Sequence, residues 1–315
     1  MPLQSSGSIS LNQIHVEGGG SSGSNTSIND ADCRNLIFKT ANTSMSFSDW
    51  YGAGRVNGEF QLQEITISNF ISSGGTFTIP SGAWIWSDST STPAITVDIP
   101  CTIINNGYII GKGGNGGATG SLNGTNGGPA MNITASSVFI TNNSGAFIAG
   151  GGGGGAAALY QSTSTSGGGG GAGGGTGGTG SSFSGAAGGA INSTGTGVGA
   201  TNAGSGGAGG SSGGGRQLAG SGGAYTGQFA NPTPSGIGAG GSANAAGGSG
   251  GLGTAGGQGV IFGGGGGGWG ASGGSVAGNS NFSAATGGSG GNAISKSGSG
   301  AYSLTNNGTV YGTTA

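Results

Sequence analysis

Residues 140–155 read ITNNSGAFIAGGGGGG, and they join the two patterns that decide the fold of this chain. In the first pattern, two short apolar runs flank an Asn-Asn turn that ends in glycine. Residues 103–111 (IINNGYIIG) and 304–312 (LTNNGTVYG) repeat it. Because Asn and Gly tolerate the positive φ angles of tight turns, the three copies predict β units that bracket the region between them.

The second pattern is the glycine tract. Glycine supplies 87 of the 315 residues, against about 7% in an average protein, and tracts recur from residue 111 to residue 291. A neutral glycine-rich chain would be poorly soluble unless folded, and glycine favours neither helix nor strand. The left-handed polyproline II helix leaves its backbone groups free to bond to neighbours. The tracts therefore predict packed polyglycine II helices, with the inserts between tracts as loops.

The chain divides into four regions in a mainly β and irregular fold. We expect an N-terminal unit at 1–58, a β-rich connector at 59–112, the glycine-rich domain at 113–302 and a closing β segment at 303–315. Residues 8–14 alternate polar and apolar as a strand or extended arm does. Ser27 and Ser46, each followed three residues later by Asp, predict two helix starts. Four runs in the connector predict strands of a small sandwich or a solenoid: 62–67, 76–80, 83–86 and 95–99.

The distribution of charge argues against catalysis. All eight acidic residues lie in the first 98 residues, the sole histidine is His15, and only Arg216 and Lys296 are charged after Lys112. Glu59 and Glu64 could lie near each other as a glycosidase pair, but a solvated strand face explains them better. A single histidine without a nearby Cys–His cluster predicts no metal site. We therefore expect no enzyme activity, no cofactor and no metal.

Other partners and compartments are also limited by composition. The chain has a net charge of -2 and no basic stripe, so nucleic-acid binding is not expected. No apolar run reaches 18 residues, so we expect no membrane insertion. The first residues lack the basic and apolar parts of a secretory signal, which indicates synthesis in a cytoplasm without the usual export route.

The N-terminal region resembles an opening module of many tailed-phage structural proteins. Three stretches carry the resemblance: LQSSGSISL at 3–11, EGG at 17–19 and SFSDWYG at 46–52. The chain departs from that pattern because Val16-Glu17-Gly18 lacks the aromatic residue of the usual EFGG-like stretch, and because the insert before the last stretch is longer. The resemblance implies a virion protein whose N-terminal unit binds a phage tail or fibre protein. Assembly into a phage particle released by lysis fits the lack of a secretory signal. It implies these attachment residues: Ile9, Leu11, Trp50 and Tyr51. The alternative for Trp50 and Tyr51 is that they fill the small core of this unit.

The alternation of tracts and inserts resembles the glycine-rich distal adhesins of T-even-like phage long tail fibres. This resemblance implies a virion-borne adhesin whose loops bind a bacterial outer-surface protein or glycan. Aromatic and amide side chains in the inserts are the expected receptor contacts. They are Tyr160, Phe183, Tyr225, Phe229, Asn231, Phe262, Trp269 and Phe282. The alternative is that these aromatic residues seal the ends of the glycine bundle.

Three other functions are compatible with the sequence. The chain could be a purely structural virion component, such as a head fibre or tail decoration, an ice-binding protein, or a glycan-cleaving enzyme. The sequence also leaves the oligomeric state open between a self-capped monomer and a homo-oligomer such as a trimer.

Overall fold

The computed structural model describes the chain except at residues 1–2, 5–6, 40, 43, 52, 57–58, 161–163, 181–213, 215, 217–218, 221, 223, 226–239, 243–251, 256–257 and 277–281. Two α-helices, α1 (Leu11–Gly18) and α2 (Ala31–Asn35), and two 3-10 helices, Phe47–Trp50 and Ile67–Asn69, lie in the first 70 residues. The strands are β1 (Arg55–Val56), β2 (Glu59–Gln63), β3 (Ile65–Thr66), β4 (Thr76–Ile79), β5 (Trp84–Trp86), β6 (Ile95–Val97), β7 (Thr102–Asn105), β8 (Tyr108–Ile110), β9 (Met131–Ile133), β10 (Val138–Asn142), β11 (Phe147–Ala149), β12 (Ala158–Tyr160), β13 (Ser164–Ser166), β14 (Ala224–Tyr225), β15 (Leu252–Ala255), β16 (Gln258–Phe262), β17 (Phe282–Ser283), β18 (Ile294–Lys296), β19 (Tyr302–Asn306) and β20 (Thr309–Tyr311). The fold is therefore mainly β.

The main body is a parallel β-solenoid with three faces. The parallel strands of its first sheet have the order β2-β5-β8-β11-β20, those of its second β3-β6-β9-β18 and those of its third β4-β7-β10-β19, and β1 pairs antiparallel with β2 at the edge of the first sheet. Every other pairing within these sheets is parallel, and each complete turn of the chain adds one strand to each sheet. Four complete coils result: β2–β4, β5–β7, β8–β10, and β11 with β18 and β19. β20 begins a fifth coil on the first sheet. Of the two architectures predicted for the connector, the solenoid is the one observed.

The core of the solenoid consists of stacked side chains from successive coils. One such row runs through Ile65, Ile95, Met131 and Ile294, which are neighbours in the second sheet and are all buried. A second row, on the first sheet, is Ile85, Ile109 and Ile148, all fully buried. Burying a large aliphatic side chain contributes about 1.5–3 kcal/mol, so these rows supply much of the stability of the body. The regions predicted as separate, 59–112 and 303–315, lie in the same sheets.

The internal repeat places equivalent residues of successive coils beside one another. Asn105, Asn142 and Asn306 lie in register, and their side-chain amides hydrogen-bond from coil to coil at 2.8 Å. Of the three glycines that follow the Asn-Asn pairs, Gly107, Gly145 and Gly308, only Gly145 has the predicted positive φ, at 83°. In the other copies, Gly107 and Gly308 are needed for space, since an added Cβ would overlap carbonyl oxygens of the coil below. Close stacking, not turn conformation, therefore explains those two glycines.

The N-terminal unit is helical where an extended arm was predicted. Ser10 caps α1: its hydroxyl accepts a hydrogen bond from the Gln13 backbone, and the Gln13 side chain accepts one from the Ser10 backbone. Gly19, with φ 105°, ends the helix. The strand prediction for residues 8–14 was wrong, because the Ser-x-x-Gln capping box outweighs the polar–apolar alternation there. The Ser46–Asp49 capping box was predicted correctly and starts a 3-10 helix, whereas α2 begins at Ala31, after Asp30.

A small core holds this unit together and another contact joins it to the solenoid. Trp50 is fully buried, and its indole N–H donates to the carbonyl of Cys33 at 2.8 Å. The buried members of this core are Leu3, Ile14, Cys33, Leu36, Ile37 and Trp50. Phe38 packs on the first coil instead, with its ring stacked 6.3 Å from that of Phe77. The unit therefore covers the first coil of the solenoid.

The glycine tracts are joined by backbone hydrogen bonds that repeat every three residues. In the tract at 150–157, Gly151 and Gly154 donate to residues 128 and 125 of one neighbouring segment. Gly152 and Gly155 donate to residues 172 and 169 of a second segment. Gly153 and Ala156 donate to residues 271 and 274 of a third. Each backbone residue therefore faces a different neighbour from the residues before and after it.

Candidate functional site

Two excursions leave the solenoid and return to it. The shorter one, residues 111–130, connects β8 to β9 in the third coil, and the longer one, residues 150–293, connects β11 to β18 in the fourth. The tract at 150–157 runs from the solenoid to β12, and the tract at 263–268 runs from β16 back towards it. The glycine tracts therefore separate a base next to the solenoid from an outer end.

Two small antiparallel sheets form this outer end. One has the strand order β13-β12-β17 and the other β14-β16-β15. The first sheet lies against the second, since β12 is close to β16 and β13 is close to β14. We call these two sheets the tip sheets. Apart from β15, their strands lie mainly in inserts between glycine tracts, so the described parts of these inserts fold together and not as separate loops.

Four of the residues predicted to contact a receptor lie on the tip sheets. Tyr160 of β12 is the register partner of Phe282 of β17. Tyr225 of β14 and Phe262 of β16 lie on adjacent strands of the other sheet, paired with Ile261 and Ala224 respectively. The structure thus brings together residues that are up to 122 positions apart in the sequence. Three further predicted contacts, Phe183, Phe229 and Asn231, lie outside the described residues.

Trp269 lies at the base, away from the tip sheets. Its side chain is only 5% exposed, and its ring centroid is 4.7 Å from that of Phe147 and 5.4 Å from that of Tyr311. It extends an aromatic column on the outer face of the first sheet, in which Trp84, Tyr108 and Phe147 are stacked on successive coils. Burial leaves Trp269 almost no side-chain surface for a receptor. Its burial fits the alternative, an aromatic that covers an end of the glycine tracts.

Arg216 fixes the glycine region to this column. Its guanidinium carbon lies 4.1 Å from the centre of the Trp84 ring, and its Nη1 donates to Glu59 Oε2 at 2.8 Å. The Trp269 indole N–H donates to the Arg216 carbonyl at 2.8 Å. The Arg216 side chain is 1% exposed. The sequence predicted no role for Arg216. The signal that could have identified it is its isolation, since it is one of only two charged residues after Lys112.

A small apolar cluster closes the tracts at the outer end. Its buried members are Ala156, Ala158, Val276 and Ala285, and Leu122 from the shorter excursion packs against them. The tracts therefore have apolar contacts at both ends and backbone hydrogen bonds between. Such a framework holds the tip sheets in place without large side chains in its interior.

The predicted attachment residues divide into buried and exposed positions. Trp50 fills the core of the N-terminal unit, and Ile9 and Leu11 pack half-buried against that core. Tyr51 is 40% exposed, and its hydroxyl donates to the Gly7 carbonyl at 2.5 Å. Phe47, next to Trp50, is 43% exposed. Tyr51 is therefore at the surface and its attachment role stays a prediction, while Trp50 lies in the core of the unit.

The two carboxylates weighed as a catalytic pair have structural partners. Glu59 accepts from Arg216, and Glu64 Oε1 accepts from the Ser87 hydroxyl and the Asp88 backbone N–H, both at 2.9 Å. Within the described ranges, no helix has the length and apolarity needed to span a bilayer.

Comparison with protein families gives one match. The family model described as phage tail fibre adhesin Gp38 matches residues 53–217, more than half of the 315 residues. The matched range begins just before β1 and ends one residue after Arg216, so it contains Glu59, Trp84 and Arg216. No curated protein and no solved structure matches the chain.

Proposed function

Because the chain belongs to the Gp38 family of phage tail fibre adhesins, we propose that it attaches a virion to the host bacterial surface through its tip sheets. The single observation that carries this proposal is the meeting of Tyr160, Tyr225, Phe262 and Phe282 on two adjoining sheets at the outer end of the glycine tracts. The mechanism is adhesion, without a chemical step. The receptor is a bacterial outer-surface protein or glycan.

The glycine tracts act as a rigid polyglycine II bundle in this proposal. Hydrogen bonds that return to the same neighbour every third residue support it, because the polyproline II helix has three residues per turn. At about 3.1 Å per residue, an eight-residue tract would place its insert roughly 25 Å from the solenoid. A rigid bundle lowers the entropy cost of binding, since the tip is ordered before it meets a receptor.

The N-terminal unit is the part that binds the virion. Three features support this role: its position over the first coil, the distance along the chain from the tip sheets, and its exposed Phe47 and Tyr51. The excursions leave the third and fourth coils, so the solenoid lies between the two contacts. In this arrangement the protein joins a phage tail or fibre protein to the bacterial surface.

Cell binding tests the proposal. The labelled full chain should bind intact host cells saturably and block phage adsorption. Replacing Tyr160 and Phe282 together by Ala should weaken binding by about 10-fold or more, as loss of an aromatic anchor does. Phe139→Ala is the matched control, because Phe139 is 57% exposed on the third solenoid sheet, away from the tip.

Two outcomes would contradict the proposal. A folded wild-type chain that binds no host cells would favour a purely structural virion component. Wild-type binding by the Tyr160→Ala/Phe282→Ala variant, together with weak binding by Phe139→Ala, would move the contact from the tip to the solenoid face.

A further inference from the structure

The N-terminal unit brings together three metal-ligating side chains that are separated in the sequence. The ligand atoms of His15, Asp32 and Cys33 all lie within 4.8 Å of one another. His15 comes from the last turn of α1, and Asp32 and Cys33 are adjacent residues of α2. The sequence argument against a metal site was that His15 has no cysteine nearby, and the packing of α1 against α2 removes that argument.

Tight packing holds the His15 ring in place. An added Cβ at Gly20 would overlap the imidazole, and one at Gly18 would overlap the Asp32 backbone. The glycines after α1 therefore allow the chain to fold closely around the ring and allow the two helices to approach. The His15 side chain is 12% exposed and that of Asp32 24%. The cluster is thus partly shielded from water and still reachable by a small ion.

The hydrogen bonds around His15 leave one ring nitrogen facing a carboxylate. Ser24 Oγ lies 2.7 Å from His15 Nε2 and 2.7 Å from the Ser21 carbonyl oxygen, so it links the ring to the backbone. His15 Nδ1 faces Asp32 Oδ2 at 2.5 Å. This nitrogen and this oxygen can both be ligands of one cation.

Cys33 adds a third donor. Its side chain is fully buried in the core of the N-terminal unit, and its Sγ lies within 4.8 Å of the His15 and Asp32 ligand atoms. The cluster therefore combines a nitrogen, an oxygen and a sulfur donor.

We propose that His15 Nδ1, an Asp32 carboxylate oxygen and Cys33 Sγ bind a divalent transition-metal ion of the zinc type. Nitrogen, oxygen and sulfur donors together suit zinc, whose ligand atoms lie about 3.3–3.8 Å apart in a tetrahedral site. The ion replaces the proton between His15 and Asp32 and moves these atoms apart by about 1 Å. The Cys33 thiol gives its proton to solvent as the metal–sulfur bond forms. A water molecule takes the fourth position.

Ser24 is a positioning residue for this site. A metal-bound histidine usually donates its other ring N–H to an acceptor that fixes the tautomer, and the Ser24 hydroxyl accepts from Nε2 in this way. The order Ser24–His15–Asp32 also resembles that of a hydrolase triad. The Ser21 carbonyl oxygen also lies 2.7 Å from Ser24 Oγ and competes with the ring for the hydroxyl proton, unlike the arrangement in a triad.

The size of the N-terminal unit gives the metal a structural role. Among the described residues of this unit, six buried side chains form its core. Small units of this kind often depend on a metal or a disulfide for stability. A cation that joins α1 to α2 would tie together the two helices that surround Trp50.

Cobalt titration of the chelator-treated full chain tests the proposal. Co²⁺ should produce a thiolate-to-cobalt charge-transfer absorption, which added Zn²⁺ removes. Cys33→Ser should abolish the absorption, and His15→Ala or Asp32→Asn should weaken Co²⁺ binding by about 100-fold. Ser24→Ala should weaken it by about 10-fold. Cys101→Ser is the matched control, since Cys101 is the other buried free cysteine and lies in the solenoid core.

The outcomes that support the metal site can be told from those that overturn it, even if one variant unfolds. Absence of the charge-transfer absorption in the folded wild-type chain overturns the site. An absorption that survives Cys33→Ser but disappears in Cys101→Ser also overturns it. An absorption retained in Cys101→Ser and weakened in folded Ser24→Ala supports it without relying on the Cys33 variant. None of these outcomes depends on host-cell binding.

Discussion

The Arg216 guanidinium lies over the ring of Trp84, 4.1 Å from its centre, and both side chains are buried at the base of the glycine tracts. The ion pair with Glu59 completes this contact. Replacing Arg216 by Ala leaves Glu59 without its ion-pair partner and uncovers Trp84, so we expect a loss of about 3 kcal/mol in the free energy of unfolding. Urea unfolding followed by tryptophan fluorescence measures it.

Lys296→Ala is the comparison for Arg216→Ala. The Lys296 ammonium lies 6.0 Å from the Tyr302 ring at an exposed position, so its removal should cost less than about 1 kcal/mol. Equal losses in the two variants would mean that Arg216 is not a specific anchor of the glycine region.

The asparagine ladder gives a second prediction. Asn142 is fully buried, accepts from Asn105 and donates to Asn306 Oδ1 and the Thr309 carbonyl. Asn142→Ala leaves those groups without partners, and each buried unsatisfied group costs about 1–3 kcal/mol. We expect a lower urea midpoint for this variant. Asn132→Ala, at a more exposed position of the second sheet outside the ladder, should be nearly neutral, and a reversed order would contradict the ladder.

The glycine tracts give a third prediction. A Cβ at Gly153 would overlap a carbonyl oxygen of a neighbouring tract, whereas one at Gly298 would meet nothing within 4 Å. Gly298 has φ 61°, so Gly298→Ala should cost only about 1 kcal/mol of backbone strain. Gly153→Ala should lower the melting temperature much more, because two backbones must separate. Similar melting temperatures for both variants would rule out close packing of the tracts.

Asp49 gives a prediction about pH. Burial alone would raise its pKa, but hydrogen bonds from the Ser46 backbone and from the Lys39 ammonium lower its pKa below the usual value. A depressed folded-state pKa adds stability that is present above the unfolded value of about 3.9 and is lost as pH falls through the folded value. Asp49→Asn should therefore lose less stability than wild type between neutral pH and pH about 2.

Urea midpoints across this pH range measure the difference. Lys39→Met removes one of the same hydrogen bonds and should flatten the acid-side loss in part. An Asp49→Asn profile parallel to that of the wild type would show that another group controls the acid response.

Local patterns predicted the solenoid strands well and the N-terminal unit poorly. The run at Thr76–Ile79 became a strand in which β-branched and aromatic side chains alternate between surface and core. In Trp84–Trp86, Ile85 faces the core while Trp84 is buried on the opposite face. Residues 8–14 have the same alternation, yet a single serine cap and a buried Ile14 made them a helix. Alternation over so few residues fits both structures, and the cap decides between them.

Long-range contacts could not be predicted in the same way. The repeat containing Asn105 and Asn142 was visible, but nothing in one sequence shows that its copies stack in one solenoid through a return of more than 140 residues. The burial of Trp269 was equally invisible, because its sequence surroundings are those of a loop and the covering residues are distant in the chain. The neighbours of His15, Asp32 and Cys33, also could not be identified, because they lie on another helix.

The two excursions begin after neighbouring strands of the first sheet, β8 and β11, and end before neighbouring strands of the second sheet, β9 and β18. A tensile load on the tip is therefore divided between outgoing and returning segments that enter the same body side by side. Within the glycine tracts such a load acts as shear on many backbone hydrogen bonds at once, and no single bond carries it alone. The construction distributes mechanical force in a region that has almost no side chains with which to resist it.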